Sequence, residues 1–357
     1  MQPDYRALPR RFRRQRLLII GCGDIGRRIA ARAGRSWRVF GVTHGDASHP
    51  ALRAAGIVPF AAAALGRRRL GRLAPWVVHA APPPADGRDR AGAPDDPVTA
   101  AWLRALLAPT ARRPAVRRPE ARPAERLTAV HRYRRQRAAR TRLVYLSTTG
   151  VYGDRGGRFV DETATVAPLT DRARRRVAAE RRIRAAGTRA AGSLAAGGRA
   201  AGGCIAGGCA AGGLTAAILR VPGIYGAGRL PLQRLRDRVP ALVAADDVMT
   251  NHIHADDLAR LAIAALHRAP AQRILNAVDD TRLLLGDYLD RVAAWAGLPP
   301  PPRVNRATLL TRVSPMRATF MRESRSLDNR RMKRELRIAL AWPTVAAFFA
   351  ANDPEHS

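Results

Sequence analysis

The chain has 357 residues, 46% of them apolar, and its 63 Lys+Arg against 28 Asp+Glu leave a formal net charge of +35. That length buries a sizeable core and the apolar content excludes a disordered polyelectrolyte. Aromatic residues make up only 5% of the chain, so the basic surface lacks the interleaved stacking platforms of a nucleic-acid binder, and no helix-turn-helix, zinc-ligand or RNA-recognition pattern appears.

The first strong signal is Leu17-Leu18-Ile19-Ile20, a continuous apolar run of the kind a central parallel strand needs. It feeds into Gly21-Cys22-Gly23-Asp24-Ile25-Gly26, a G-x-G-x-x-G turn that opens a helix with Ile25 and Ile29 on its apolar side. In a dinucleotide-binding turn the first glycine makes the bend, the second admits a pyrophosphate and the third lets helix and strand pack closely. Gly21, Gly23, Asp24, Ile25 and Gly26 are therefore candidate cofactor residues. The run Trp37-Arg38-Val39-Phe40-Gly41-Val42 follows at the spacing of a βαβ unit.

Gly56 to Phe60 reads as a third strand and Pro75 to Ala81 as a fourth, stopped by three prolines. A helical segment runs from about Pro97 to Leu107. Residues 109–140 are an arginine, alanine and proline segment of low complexity, expected to form a solvated insert. Leu143 to Ser147 is a fifth strand, and a helical pattern covers Leu169 to Ala186. Residues 187–213, almost all glycine and alanine, read as a flexible loop. Ile218 to Val221 is a sixth strand. Beyond it come a helix at Asp256 to Ala269, a strand at Arg273 to Asn276, a helix near Leu283 to Ala296, the Pro299 to Pro302 linker and a final helix around Thr344 to Ala350. Alternating strands and helices predict an α/β fold with a doubly wound parallel sheet. The expected division is a dinucleotide-binding domain over 14–221, carrying both inserts, and a smaller substrate-binding region over 222–357 that partly returns to the sheet.

The three cysteines, Cys22, Cys204 and Cys209, form neither a disulfide framework nor a metal-ligand set, so no metal is expected and a reducing cytoplasmic compartment fits. The basic N-terminal segment lacks the apolar core of a signal peptide. No run reaches the about 18 apolar residues of a membrane span.

At the end of the fifth strand stands Ser147-Thr148-Thr149-Gly150-Val151-Tyr152-Gly153-Asp154. With L-R-V-P-G-I-Y-G-A-G-R at 219–229 and N-H-I-H-A-D-D-L-A-R at 251–260, it resembles the NAD-dependent epimerase/dehydratase group, the extended and atypical short-chain dehydrogenases/reductases. The resemblance implies a Rossmann fold, a catalytic Ser/Thr position at Thr148, a cofactor wall at Ala80, Ala81 and Pro82, and backbone beside the nicotinamide at Pro222 and Gly223. It further implies a substrate side at Tyr225, Arg229 and His254, and pairing into a homodimer. The family's Tyr-x-x-x-Lys is absent: with Ala179-Glu180 fixing the register, Arg172 stands at the tyrosine position and Arg176 at the lysine position. Arg176 can still hold ribose hydroxyls. Arg172 cannot trade a proton near neutral pH, which leaves Tyr152, Asp154 or Thr148 to do so.

Thr43 and His44 end the second strand where an NAD site places a carboxylate, and Arg27 and Arg28 lie nearby, so NADP is favoured over NAD. The sequence thus points to hydride transfer on a sugar-nucleotide-like small molecule. The alternatives are a non-catalytic NADP(H)-binding sensor, motivated by the missing tyrosine, and nucleic-acid binding through residues 109–140, set aside as the main role.

Overall fold

The computed structural model describes residues 14–65, 73–107, 141–195, 214–312 and 321–352. Seven strands form one sheet: β1 (Gln15–Ile20), β2 (Trp37–Thr43), β3 (Val58–Ala61), β4 (Trp76–His79), β5 (Thr141–Thr148), β6 (Leu214–Val221) and β7 (Arg273–Asn276). Their spatial order is β7-β6-β5-β4-β1-β2-β3, and each neighbouring pair is parallel. This is the predicted doubly wound sheet, with its order reversing between β1 and β4.

The strands form where the sequence supplies apolar side chains to both faces. Leu17 and Ile19 enter the core on one side of β1, beneath α1 (Asp24–Ala33) and α6 (Ala255–Arg268), while Leu18 and Ile20 enter the core on the other. The second face is covered by α3 (Pro97–Leu107) and α4 (Asp171–Ala195). Between these lie the short helix α2 (His49–Ala54), just before β3, and α5 (Leu232–Arg236), beyond β6. The remaining helices, α7 (Leu285–Trp295), α8 (Arg306–Arg312), α9 (Arg330–Leu336) and α10 (Val345–Ala351), follow β7. Chain beyond residue 222 therefore rejoins the sheet: β7 pairs with β6, and Leu258, Leu261 and Leu266 of α6 share a core with β1.

Several boundaries move, the sixth strand for one beginning at Leu214 rather than Ile218. The third strand begins at Val58, because Gly56 adopts φ +73° and makes the turn that precedes it. The helix α4 continues through Gly187 to Ala195, so the start of the expected 187–213 loop is helical, in keeping with alanine's high helix propensity. The rest of that segment, 196–213, and the 109–140 insert lie outside the described residues. At the outer edge of the sheet, Pro59 of β3 stands opposite Gly41 of β2.

A buried ion pair fastens α4 to the sheet. Glu180 accepts from Arg220 of β6 through both carboxylate oxygens, at 3.2 and 2.7 Å, and from the Ser147 hydroxyl of β5 at 2.5 Å. The two side chains are only 5% and 3% exposed. The Arg220 guanidinium also lies 4.6 Å from the centre of the Tyr152 ring, whose hydroxyl donates to Asn276 of β7 at 2.7 Å. Burial pulls the Arg220 guanidinium down, but its bonds to Glu180 outweigh this and hold it above its ordinary value. Breaking such a pair from one side leaves an uncompensated charge in the core. Arg220→Met should therefore lower the unfolding free energy by about 3–5 kcal/mol, and the double variant Glu180→Met/Arg220→Met should recover much of that. Urea unfolding measures both, and an Arg220→Met chain as stable as the parent would show that the pair contributes nothing.

Candidate functional site

At the reversal of strand order the C-terminal ends of β1, β2 and β4 are stitched together by backbone. Gly21 and Cys22 donate to the Val42 carbonyl at 3.0 and 2.8 Å, and Ala80 and Ala81 donate to that of Ile20 at 2.8 and 3.0 Å. Gly21 has φ +86°, and a Cβ there would sit 2.4 Å from the Ala81 nitrogen, so the approach admits only glycine. A Cβ on Gly26 would come within 2.9 Å of the Gly21 carbonyl. Gly23 differs: a Cβ there would meet nothing within 4 Å. It is the N-cap of α1 and offers no side-chain bond to the first-turn amides, so these point outward without a capping group.

The cleft beside this turn has a volume of about 560 Å³. Its floor is the turn itself, Gly21 to Arg27, with Ala80 and Pro82 from the end of β4. Thr43 and His44 at the end of β2, with Ser48, line one end. Thr148 at the end of β5, Arg172 and Arg176 from α4, and Pro222, Ile224 and Arg229 line the other. Cys22 also borders it, as a buried thiol that burial pushes up to about 11 against the pull of Arg27, and so an unreactive one.

Asp24 is the one carboxylate among the described residues that line the cleft. Arg229 donates to it at 2.6 Å and Arg28 at 3.3 Å. Burial pushes its carboxyl up, but the bonds and charges of Arg229 and Arg28 outweigh that and hold it below the usual carboxylate range. Arg28 also donates to Asp256 at 2.5 Å and does not line the cleft.

The helix α4 opens on Thr170, whose hydroxyl accepts from the Ala173 amide at 3.1 Å. Ala173, Arg176, Val177, Glu180 and Ile183 follow at helical spacing as its buried stripe. Arg176, 7% exposed, donates from Nη1 to the Tyr145 hydroxyl at 3.0 Å and to the Leu146 carbonyl at 2.8 Å. Its Nε is buried without a hydrogen-bond partner. Arg172, one turn earlier, is exposed at the mouth; partial burial and then the Arg176 charge push its guanidinium down from its ordinary value. The Thr148 hydroxyl accepts a long bond from the Gly150 amide, 3.3 Å.

Several expected residues stand elsewhere. Tyr152 is fully buried at the end of a 3-10 turn (Thr149–Tyr152), bonded to Asn276, and does not line the cleft. Asp154 accepts from the amides of Gly156 and Ser324 on a loop away from the cleft. Tyr225 and His254 are 1% and 3% exposed and belong to a ring cluster with Trp342 and Phe348. His254 Nδ1 accepts from the Asp256 amide and so caps α6. Ala81 and Gly223 carry backbone bonds of the turn and of the Gly223–Tyr225 strand without lining the cleft.

Ser48, Leu146, Ser147, Val221, Ile224 and Leu258 also line the cleft without having been among the expected site residues. Ser48 precedes His49-Pro50 in a helix-start pattern that could have flagged it. The sequence reading also missed His79, which borders the Arg176 site from behind. The Thr99 hydroxyl donates to Asp96 at 2.5 Å, so His79 Nε2, 2.9 Å from it, is the donor, and Nδ1 is left buried without a partner. Burial, reinforced by the Arg176 charge, pushes this imidazole down to about 3. Among the described residues no group of three or more His, Cys, Asp or Glu is placed to hold a metal ion, and no helix is long and apolar enough to cross a membrane.

No protein-family model matches the chain, and no curated protein matches it. Solved structures do. A conserved protein of unknown function from Silicibacter pomeroyi is 24% identical with a TM-score of 0.67, over 96% of this chain and 99% of that one. The UDP-glucuronic acid 4-epimerase from Bacillus cereus, in complex with UDP-glucuronic acid and NAD, is 14% identical with a TM-score of 0.62, over 95% and 97%. The human epimerase family protein SDR39U1, with NADPH, is 15% identical with a TM-score of 0.59, over 96% and 100%. The fold of this chain is the α/β fold of these epimerase structures, as the resemblance implied.

Gly21→Ala should destabilise the protein by at least about 1–3 kcal/mol from the positive φ alone, whereas Gly23→Ala, with open space at its Cβ, should cost under about 1 kcal/mol. Equal melting temperatures for the two variants would contradict the turn geometry. The buried His79 gives a second test. Between about pH 6.5 and about pH 3 the unfolded chain binds a proton at this imidazole that the folded chain refuses. Its contribution to stability is therefore lost as pH falls through that window. The stability advantage of the parent over His79→Gln should shrink from pH 7 to pH 4.5 in urea titrations; a constant difference would disprove the burial of a neutral ring.

Proposed function

We propose that the cleft binds NADP(H) and that the protein uses it for hydride transfer on a sugar-nucleotide-like substrate. The observation that carries this reading is the glycine turn, in which Gly21 closes on Ala81 while Gly23 leaves its Cβ space open beneath uncapped helix amides. Such amides and the positive end of the helix dipole suit a diphosphate. The NAD and NADPH held by the neighbouring epimerase structures, and the UDP-glucuronic acid in one of them, support it.

Preference for the 2′-phosphate rests on Arg27 in the cleft and on Thr43 and His44 at the end of β2 with Ser48 before α2, where among the described residues no carboxylate lines the wall. NAD(H) remains the alternative cofactor. A bound nicotinamide would donate or accept the hydride, leaving binding and protons to the chain. The Thr148 hydroxyl binds the substrate oxygen. Since Tyr152 and Asp154 lie outside the cleft, Thr148 also relays the proton between that oxygen and cleft water. Arg176 holds the ribose hydroxyls with a permanent cation, Pro222 stands beside the nicotinamide, and Ile224 and Arg229 form the substrate side.

One observation favours a second reading, that of a non-catalytic NADP(H)-binding sensor. Among the described residues lining the cleft there is neither a tyrosine nor a lysine, and an arginine at 172 is a poor proton donor.

Calorimetric titration of the full chain should show NADP⁺ binding more tightly than NAD⁺. Gly23→Ala should weaken that binding by about tenfold, near 1.4 kcal/mol, without unfolding the chain. Absence of any heat with either nucleotide would sink the dinucleotide reading. Deuterated NADPH offered with a panel of nucleotide sugars decides between the two roles: label in a product supports hydride transfer, and tight binding with no labelled product supports the sensor.

A further inference from the structure

Arg172 and Arg176 stand one helical turn apart on the same face of α4, and both line the cleft. Guanidiniums at this spacing repel each other. Arg176 is nine-tenths buried, yet both of its hydrogen bonds run to neutral oxygens, its Nε has no partner, and it makes no ion pair among the described residues. The carboxylate one turn further on, Glu180, is fully engaged with Arg220 and Ser147. Asp24 is engaged by Arg229 and Arg28. Among the described residues lining the cleft Asp24 is the one carboxylate and Arg229 is its partner, so Arg176 has no counter-charge there. A buried cation without a counter-charge is costly to maintain, and a concave wall focuses its field on whatever enters.

We infer that Arg172 and Arg176 together form a recognition site for an oxyanion of the substrate, a carboxylate or phosphate carried beside the carbon that reacts. The position follows from β5: Arg176 is bonded to the carbonyl of Leu146, two residues before Thr148, so an anion on this pair lies next to the hydroxyl that receives the reacting oxygen. The guanidinium fork matches both carboxylate and phosphate. Arg172, exposed at the cleft, bonds the anion through its fork, and Arg176, whose donors serve the ribose, contributes the deeper positive charge behind it. The inference rests on the cleft reading given above and deepens it: the substrate is an acid, such as a hydroxy or oxo acid, a uronic acid or a sugar phosphate.

Calorimetry on the full chain, with oxamate as the carboxylate probe and inorganic phosphate as the tetrahedral one, tests this with and without saturating NADP⁺. One of the two anions should bind the parent at least about tenfold more tightly than Arg172→Met. Arg172→Lys, which keeps the charge but loses the fork, should fall between them. Arg174→Met, on the solvent side of the same helix, should match the parent. The anion that binds identifies the source of the oxyanion. Equal affinity in the parent and Arg172→Met, or no binding of either anion, overturns the inference. Anion binding that survives where NADP⁺ gives no heat overturns the dinucleotide reading alone.

Discussion

The pairing of Glu180 with Arg220 sets the register between α4 and the sheet, and the cleft inherits its geometry from that register. Glu180 is held at both oxygens, so α4 can neither rotate nor slide without stranding a charge in the core. Arg176 and Arg172 lie one and two turns before it on the same face, and this is what delivers two cations to the end of β5. The same network reaches β7 through Tyr152 and Asn276, whose amide nitrogen donates to Glu162 at 2.9 Å and whose side chain donates to the Asp328 carbonyl at 3.1 Å. Late parts of the chain are thus keyed to α4 by polar bonds in a low-dielectric interior, where each bond is strong and each loss expensive.

Much of the fold was legible because parallel strands need apolar side chains on both faces, and Leu17 to Ile20, Leu143 to Leu146 and Ile218 to Val221 announce themselves that way. The helix from Pro97 to Leu107 and the strand from Arg273 to Asn276 fall where the pattern put them. The end of α4 was not legible, since an alanine and glycine run has no amphipathic period and reads equally as loop or helix. The glycine turn could be read because its chemistry is local. Tyr152, Tyr225 and His254 could not be placed, because whether a ring turns toward a cleft or into a core depends on neighbours distant in the chain. A 3-10 turn buries the first, and Trp342 and Phe348 enclose the other two.

The arginine bias of the composition reaches into the interior with specific work to do. Arg220 locks a helix, Arg229 and Arg28 neutralise an acid beside a helix N-terminus, and Arg260 joins the Ala341 and Trp342 amides on the buried carboxylate of Asp257. Arginines at 172 and 176 put hydrogen-bond donors at both positions but no group that readily lends a proton near neutral pH.

The proline on the outermost strand bears on how copies of this molecule can meet. Strand β3 has four residues, and Pro59 brings no amide hydrogen, so that rim gives an incoming backbone an incomplete ladder to continue. The opposite rim, β7, is equally brief. Among the described residues the sheet is thereby blunted at both ends against growth by strand addition.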